Sequence, residues 1–180
     1  PAKTFKYLAR FDEPPGSALG KTEDGATITA SGSMVATPLE TFATSVASLS
    51  AGEKAVSKEV NSVQLQWDTT GGTLEVPTST GAFAGKKAVV FDLAMSSAGT
   101  TSGTTPLFLD VVDSTGAIAS VAIKDYLGAG WFTRPRRFAT AYVPVGKLAG
   151  VDLGKVTAVR VVAKSGGAAG TAMFDALRLE

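Results

Sequence analysis

The sequence predicts an all-β protein, an antiparallel β-sandwich of the jelly-roll kind. Three observations predict it. Short runs of alternating or β-branched apolar residues recur from one end of the chain to the other. Gly, Pro, Asp, Ser and Thr clusters punctuate them at short intervals, so that roughly nine to eleven strands can be drawn. No segment carries a long helical period. An up-and-down barrel is the structural alternative, and the absence of a fixed-period repeat disfavours a propeller or solenoid.

Taken in order, FKYLARF (5–11) reads as a strand, with Phe5, Tyr7, Ala9 and Phe11 on one face and Lys6, Leu8 and Arg10 on the other. Asp12-Glu13-Pro14-Pro15-Gly16 stops it, because two prolines remove donors and Gly16 offers a turn. A short strand is expected over 26–30, between Asp24-Gly25 and Ser31-Gly32. Residues 34–53 admit two readings. Leu39, Phe42, Val46 and Leu49 fall near helical spacing, whereas Pro38 and the Thr and Ser content favour irregular structure or a short strand, which is the preferred reading.

From Val56 onward the strand pattern is plain. VNSVQLQWD (60–68) alternates, placing Val63, Leu65 and Trp67 in the core and Gln64, Gln66 and Asp68 outside. Thr70-Gly71-Gly72 turns the chain, and a strand returns over 72–76 to Pro77. AVVFDLAM (88–95) is nearly all apolar, as expected of a central strand buried on both faces. LFLDVV (107–112) and AIASVAIKDY (117–126) flank the Asp113-Ser114-Thr115-Gly116 hairpin turn, where the Asp113 carboxylate can accept backbone N–H bonds. Residues 96–106 and 127–135 read as loops. Strands are then expected over 138–145, 156–164 and 171–179. Strict alternation in the last groups Asp175 with Met173, Leu177 and Leu179, opposite Phe174, Ala176 and Arg178. A carboxylate among apolar neighbours is costly unless paired, hydrogen-bonded or metal-bound.

Composition narrows the function. The 180 residues suit one domain, 1–180, and a monomer is expected. A net charge of +1, with no dense Lys/Arg run, gives no case for nucleic acid. The chain has no Cys and no His, which removes disulfides, thiolate and imidazole metal sites, and Ser-His-Asp or Cys-His catalysis. No apolar run approaches the ~18 residues of a membrane-spanning helix, so no membrane partner is expected. The start at Pro1-Ala2-Lys3 reads as a trimmed or mature chain. The Ala/Gly/Thr/Ser-rich, low-Lys texture suggests a secreted, extracellular protein.

The segment FATAYVPVGKLAGVDLGKVTAVRVV, followed by GTAMFDALRL, resembles the closing strands of galactose-binding-like jelly rolls. These serve as carbohydrate-binding modules and accessory domains of secreted bacterial, including actinobacterial, hydrolases. Val143-Pro144-Val145, Gly150 to Val161 and Asp175 carry the likeness, with AVVFDLAMS and LFLDVVDSTGAIASVAI resembling the middle strands and Phe11-Asp12 the opening step. The resemblance is strongest over 58–180. It implies a non-catalytic module that binds a polysaccharide or oligosaccharide beside the catalytic domain of a parent hydrolase. The alternative it allows is a structural or docking domain that binds no sugar.

The resemblance also implies a structural calcium where first and last strands meet, held by Asp12 and Asp175 with Glu13 as substitute. Two carboxylates with carbonyls and water suit Ca²⁺, although Ala176 stands where a second acid is usual. The competing reading pairs Asp175 with Arg178, Arg160 or backbone amides. For the sugar, pyranose C–H faces pack on aromatic rings while hydroxyls bond to Arg, Asp and Gln. Trp131 in the loop LGAGWFTRPRR, with Tyr126, Arg134, Arg136 and Arg137, is the first candidate site, and Gln64 and Gln66 form a second surface. Trp131 has a structural alternative as the cap of one sandwich end. Aromatics at 8% with two Trp argue against a flat crystalline-polysaccharide platform. A carboxylate-dependent lyase or glycosidase using Asp92, Asp110 or Asp113 stands a distant third, and the chain is expected not to be an enzyme.

Overall fold

The computed structural model describes residues 5–40, 61–95, 107–127 and 138–180. Eleven strands run through them: β1 (Lys6–Ala9), β2 (Thr29–Gly32), β3 (Val35–Glu40), β4 (Asn61–Trp67), β5 (Gly72–Pro77), β6 (Ala88–Met95), β7 (Leu107–Asp113), β8 (Ile118–Ala122), β9 (Ala139–Pro144), β10 (Val156–Ala163) and β11 (Gly170–Leu179). They form two antiparallel sheets. One has the order β3-β4-β11-β6-β9, with β1 also on β11, and the other has the order β2-β5-β10-β7-β8. The chain passes repeatedly between the sheets, which makes the architecture the expected sandwich and not a barrel.

Alternation explains most of the core. Val63, Leu65 and Trp67 of β4, Leu74 and Val76 of β5, Leu107, Leu109 and Val111 of β7, and Val159 and Val161 of β10 all face inward. Trp67 is buried as expected, and its indole N–H donates to the Ala168 carbonyl at 2.9 Å. Phe174 sits between two other rings, 5.5 Å from Phe11 edge-on and 5.1 Å from Phe91. β6 lies inside its sheet, between the central β11 and the edge strand β9, and is buried on both faces except at the half-buried Asp92.

Three strands depart from strict alternation at a register slip. In β10 it lies between Val156 and Ala158, so that Val156 and Val159 both face the core. In β1 the register slips between Tyr7 and Ala9, so Leu8, Ala9 and Phe11 are all buried while Phe5 is exposed. In β11 the slip lies between Asp175 and Arg178, with Ala176 at φ 52°. The extra residue reverses the facing of everything after it. Phe174, Leu177 and Leu179 therefore share the core face, and Asp175 stands with Met173 and Arg178 outside, not with Leu177 and Leu179 as expected.

Smaller boundaries also differ. The strand expected over 26–30 is β2, at Thr29–Gly32, preceded by a Lys21–Thr27 bridge. The strand expected over 117–126 ends at Ala122 and gives way to a single 3₁₀ turn, Ile123–Tyr126. Within 34–53, β3 supplies the short strand, carrying Pro38 and Leu39. The helical alternative over Phe42, Val46 and Leu49 lies outside the described residues.

The β7–β8 turn is held by Asp113, 4% exposed. Its Oδ1 accepts from the Thr115 hydroxyl (2.6 Å), the Thr115 amide (2.8 Å) and the Ala117 amide (3.2 Å), and its Oδ2 from the Asp152 amide (3.0 Å). These bonds, the Thr115 hydroxyl foremost and the Asp152 amide next, lower its pKa to about 2. Because the folded value lies below the unfolded one of about 3.9, the stabilisation is complete above that range and fades as pH falls towards 2. Asp113→Asn is expected to lower the melting temperature at pH 7 and to flatten its decline between pH 4 and pH 2. A decline as steep as wild type's would remove Asp113 as its source.

Candidate functional site

The first candidate is the seam between chain ends. The first half of β11 pairs with β4 and the second half with β1, so the bulge at Asp175–Ala176 marks the change of neighbour. Oxygens gather there. The Ala176 amide is shared by Oδ1 of Asp175 (2.8 Å) and the Arg10 carbonyl (3.4 Å). Phe11 turns in the left-handed region at φ 60°, and the Asp12 carbonyl accepts from the Asn61 side chain at 3.0 Å. Asp175 is buried, and the Asp12 side chain is exposed. Glu13 lies against Gly20, where a Cβ would meet its carboxylate. The carbonyls and the Asp175 carboxylate suit a hard cation, but no group of three acidic side chains gathers among the described residues. Arg160, one alternative partner for Asp175, stands on the other sheet.

The two sheets present unlike outer faces. On the six-stranded sheet, Gln64 faces Thr37 and Met173, Asp175 faces Asp92, and Asp92 faces Thr140, whose hydroxyl donates to it at 2.6 Å. Arg178 lies 3.7 Å from Asp92. Gln66 is exposed at one end of this face, but the centre is closed: Ser62, Val90 and Ala94 point away from the core and are nonetheless buried to 1% exposure or less.

The outer face of the five-stranded sheet is open. A polar row crosses all five strands in register, Thr29–Glu75–Arg160–Asp110–Ser120. Thr29 and Ser120 are exposed, and the side chains of Arg160 and Glu75 are 31% and 34% exposed. Arg160 donates from Nε to Glu75 at 2.6 Å. Oδ1 of Asp110 is buried and accepts no hydrogen bond. The adjoining row is Ser31–Thr73–Val162–Phe108–Ala122, and the Lys164 ammonium lies 3.6 Å from the centre of the Phe108 ring. On the other side of the polar row lie Val112 and the exposed Ile118. A half-open aromatic ring beside converging donors and acceptors is the composition of a small-ligand surface.

Of the sequence-derived ligand residues, Gln64 and Gln66 fall on the opposite sheet from this row. Tyr126 ends the 3₁₀ turn after β8, with part of its ring against the core. Trp131, Arg134, Arg136 and Arg137 lie outside the described residues. The acids considered for catalysis do not meet: Asp92 projects from the outer face of one sheet, Asp110 from that of the other, and Asp113 is committed to its turn. Sequence reasoning did not find the Glu75–Arg160–Asp110 row. Alternation turns each residue outward, but the adjacency of β5, β10 and β7 is not written locally.

No protein-family model matches the chain, and no curated protein matches it. Solved structures do. A family 30 carbohydrate-binding module has a TM-score of 0.59 at 12% identity, covering 99% of each chain. A family 11 carbohydrate-binding module from Clostridium thermocellum, in complex with a β-1,3-1,4-mixed-linked tetrasaccharide, has a TM-score of 0.56 at 10% identity, covering 99% of this chain and 96% of that one. An exo-β-agarase has a TM-score of 0.56 at 11% identity; the match takes in 97% of this chain and 25% of the enzyme. At these identities the likeness is one of fold: the chain has the jelly-roll sandwich of the family 11 and family 30 carbohydrate-binding modules.

Proposed function

We propose that the chain is a non-catalytic carbohydrate-binding module of a secreted polysaccharide-active enzyme, with its glycan lying across the outer face of the five-stranded sheet. The polar row carries the reading. The terminal NH₂ groups of Arg160 donate to nothing among the described residues, and beside them Asp110 accepts nothing at Oδ1, which is covered at rest, so that a ligand hydroxyl bonds there by displacing its cover. A sugar hydroxyl both donates and accepts, so a neighbouring pair of hydroxyls answers an Arg–Asp pair with two complementary bonds. Phe108, whose ring lies under the Lys164 ammonium at rest, supplies the apolar surface for a pyranose C–H face once that side chain moves aside. Trp131, Arg134, Arg136 and Arg137 extend the ligand surface in this proposal, since the chain enters their segment from β8, the edge strand of this sheet, through Tyr126. Gln64 and Gln66 would serve only a second contact on the opposite face. Asp12 and Asp175 with the Arg10 carbonyl would hold a structural Ca²⁺, tying the first strand to the last.

The docking-domain alternative has one observation in its favour: the chain matches only a quarter of the agarase's length. Titration calorimetry with the mixed-linked tetrasaccharide, laminarin and agaro-oligosaccharides, run with calcium and with EDTA, decides between the readings. Arg160→Ala and Asp110→Ala are expected to weaken binding at least about tenfold, each removing a charged hydrogen-bonding group, with little change in melting temperature. EDTA is expected to lower the melting temperature, and Asp175→Ala to abolish that response. Wild-type affinity in both row variants, with loss in Trp131→Ala, would move the site to the 128–137 segment. No binding to any glycan by the wild type would leave the docking domain.

A further inference from the structure

We infer that Glu75 is a positioning residue, whose task is to hold the Arg160 guanidinium away from Asp110 so that the Arg–Asp pair stays available to ligand. The inference rests on the sugar-binding reading of this face. Arg160 stands in register between two carboxylates, Glu75 on β5 and Asp110 on β7. Both neighbours are at strand spacing, and an arginine can reach either. Among the described residues it bonds Glu75 alone, at 2.6 Å through Nε. No ion pair forms with Asp110, whose Oδ1 is left buried and without a donor.

A buried acceptor without a partner is costly in a folded protein, and the donor that would relieve it is one strand away. The choice of Glu75 over Asp110 therefore leaves the face poised. Engaging Arg160 through Nε also leaves both terminal NH₂ groups of the guanidinium for other acceptors. Without Glu75, Arg160 has one remaining carboxylate across the ladder. Pairing with Asp110 would satisfy the row internally and close it to ligand. Glu75 then governs affinity without being a contact residue, and the ligand selected is a neutral glycan offering adjacent hydroxyls, which supplies Asp110 with a donor and Arg160 with an acceptor together.

The test uses Glu75→Gln, which keeps size and removes charge. In its crystal structure Arg160 is expected within 4 Å of Asp110, and Asp110→Asn is expected to lower the melting temperature more in the Glu75→Gln background than in wild type, a coupling that wild type lacks. Affinity for the mixed-linked tetrasaccharide is expected to fall about tenfold, as for loss of a charge-assisted contact. If Glu75→Gln does not fold, Glu75→Ala replaces it. An Arg160 that stays off Asp110, with no coupling, overturns the inference whatever the glycan result. Rearrangement with undiminished affinity overturns it too, while leaving the sugar-binding reading in place. A wild type that binds no tetrasaccharide counts against sugar binding, and the pairing measurements still decide whether Glu75 steers Arg160.

Discussion

Replacing Phe174 with alanine is expected to cost about 3–5 kcal/mol of folding stability, the range for a large aromatic removed from a packed core. Phe174 is fully buried and touches rings from both ends of the sandwich seam, Phe11 after β1 and Phe91 in the middle of β6. Its backbone pairs with Val63 on one side and Leu93 on the other, so the cavity would open beneath the central strand of the six-stranded sheet. Neither neighbour can collapse into it easily, because Phe11 is already held in the left-handed region and Phe91 lies in a strand buried on both faces. Equilibrium denaturation in urea measures the loss. A cost below about 1.5 kcal/mol, the size of a volume-conserving swap, would mean that the aromatic cluster is loosely packed.

Gly71→Ala is expected to be nearly as damaging, by about 2–5 kcal/mol, through backbone and not through apolar burial. Gly71 has φ +82°, and a Cβ there would lie 2.6 Å from the Ala163 carbonyl oxygen and 2.7 Å from the Ser165 amide. Its neighbours are equally crowded: a Cβ on Gly72 would meet the Met34 amide, and one on Gly32 the Gly71 carbonyl at 2.7 Å. Three chain segments thus cross at this corner, where β2 hands over to β3 and β4 to β5 between the sheets. Gly116 is the control. It has φ +86° in the β7–β8 turn, but nothing lies within 4 Å of its would-be Cβ. Gly116→Ala should show only the left-handed penalty of about 1–2 kcal/mol. Equal losses at the two positions, measured by the same denaturation, would show that crowding at Gly71 is relieved by small shifts.

The Thr70-Gly71-Gly72 sequence announces a turn, and the turn is there; that two other backbones press on it is not a local property. The same division runs through the site. Outward facing of Gln64 and Gln66 was read from a period of two, and the same period turns Glu75, Asp110 and Arg160 outward. Which of them share a surface was not legible. Gln64 and Gln66 belong to the six-stranded sheet, whereas Glu75, Arg160 and Asp110 become neighbours through the order β5-β10-β7. An aspartate and an arginine 50 residues apart by sequence carry no sign that they will lie side by side.

What the sequence determined by itself was the list of strands from residue 60 onward, the burial of Trp67, the Asp113 turn and the sandwich class, because alternation and turn chemistry act over a few residues. What only the tertiary structure decided were the register slips and the sheet order. A bulge in β11 costs local pairing and places Ala176 at positive φ, so nothing in the run GTAMFDALRL asks for it. It arises where β11 must leave β4 for β1, and its effect is to carry Asp175 out of the core while Leu177 and Leu179 stay within it. The physical reason is range: side-chain periodicity is set between adjacent residues, whereas the partner of each strand is set by how two whole sheets bury their apolar faces against each other.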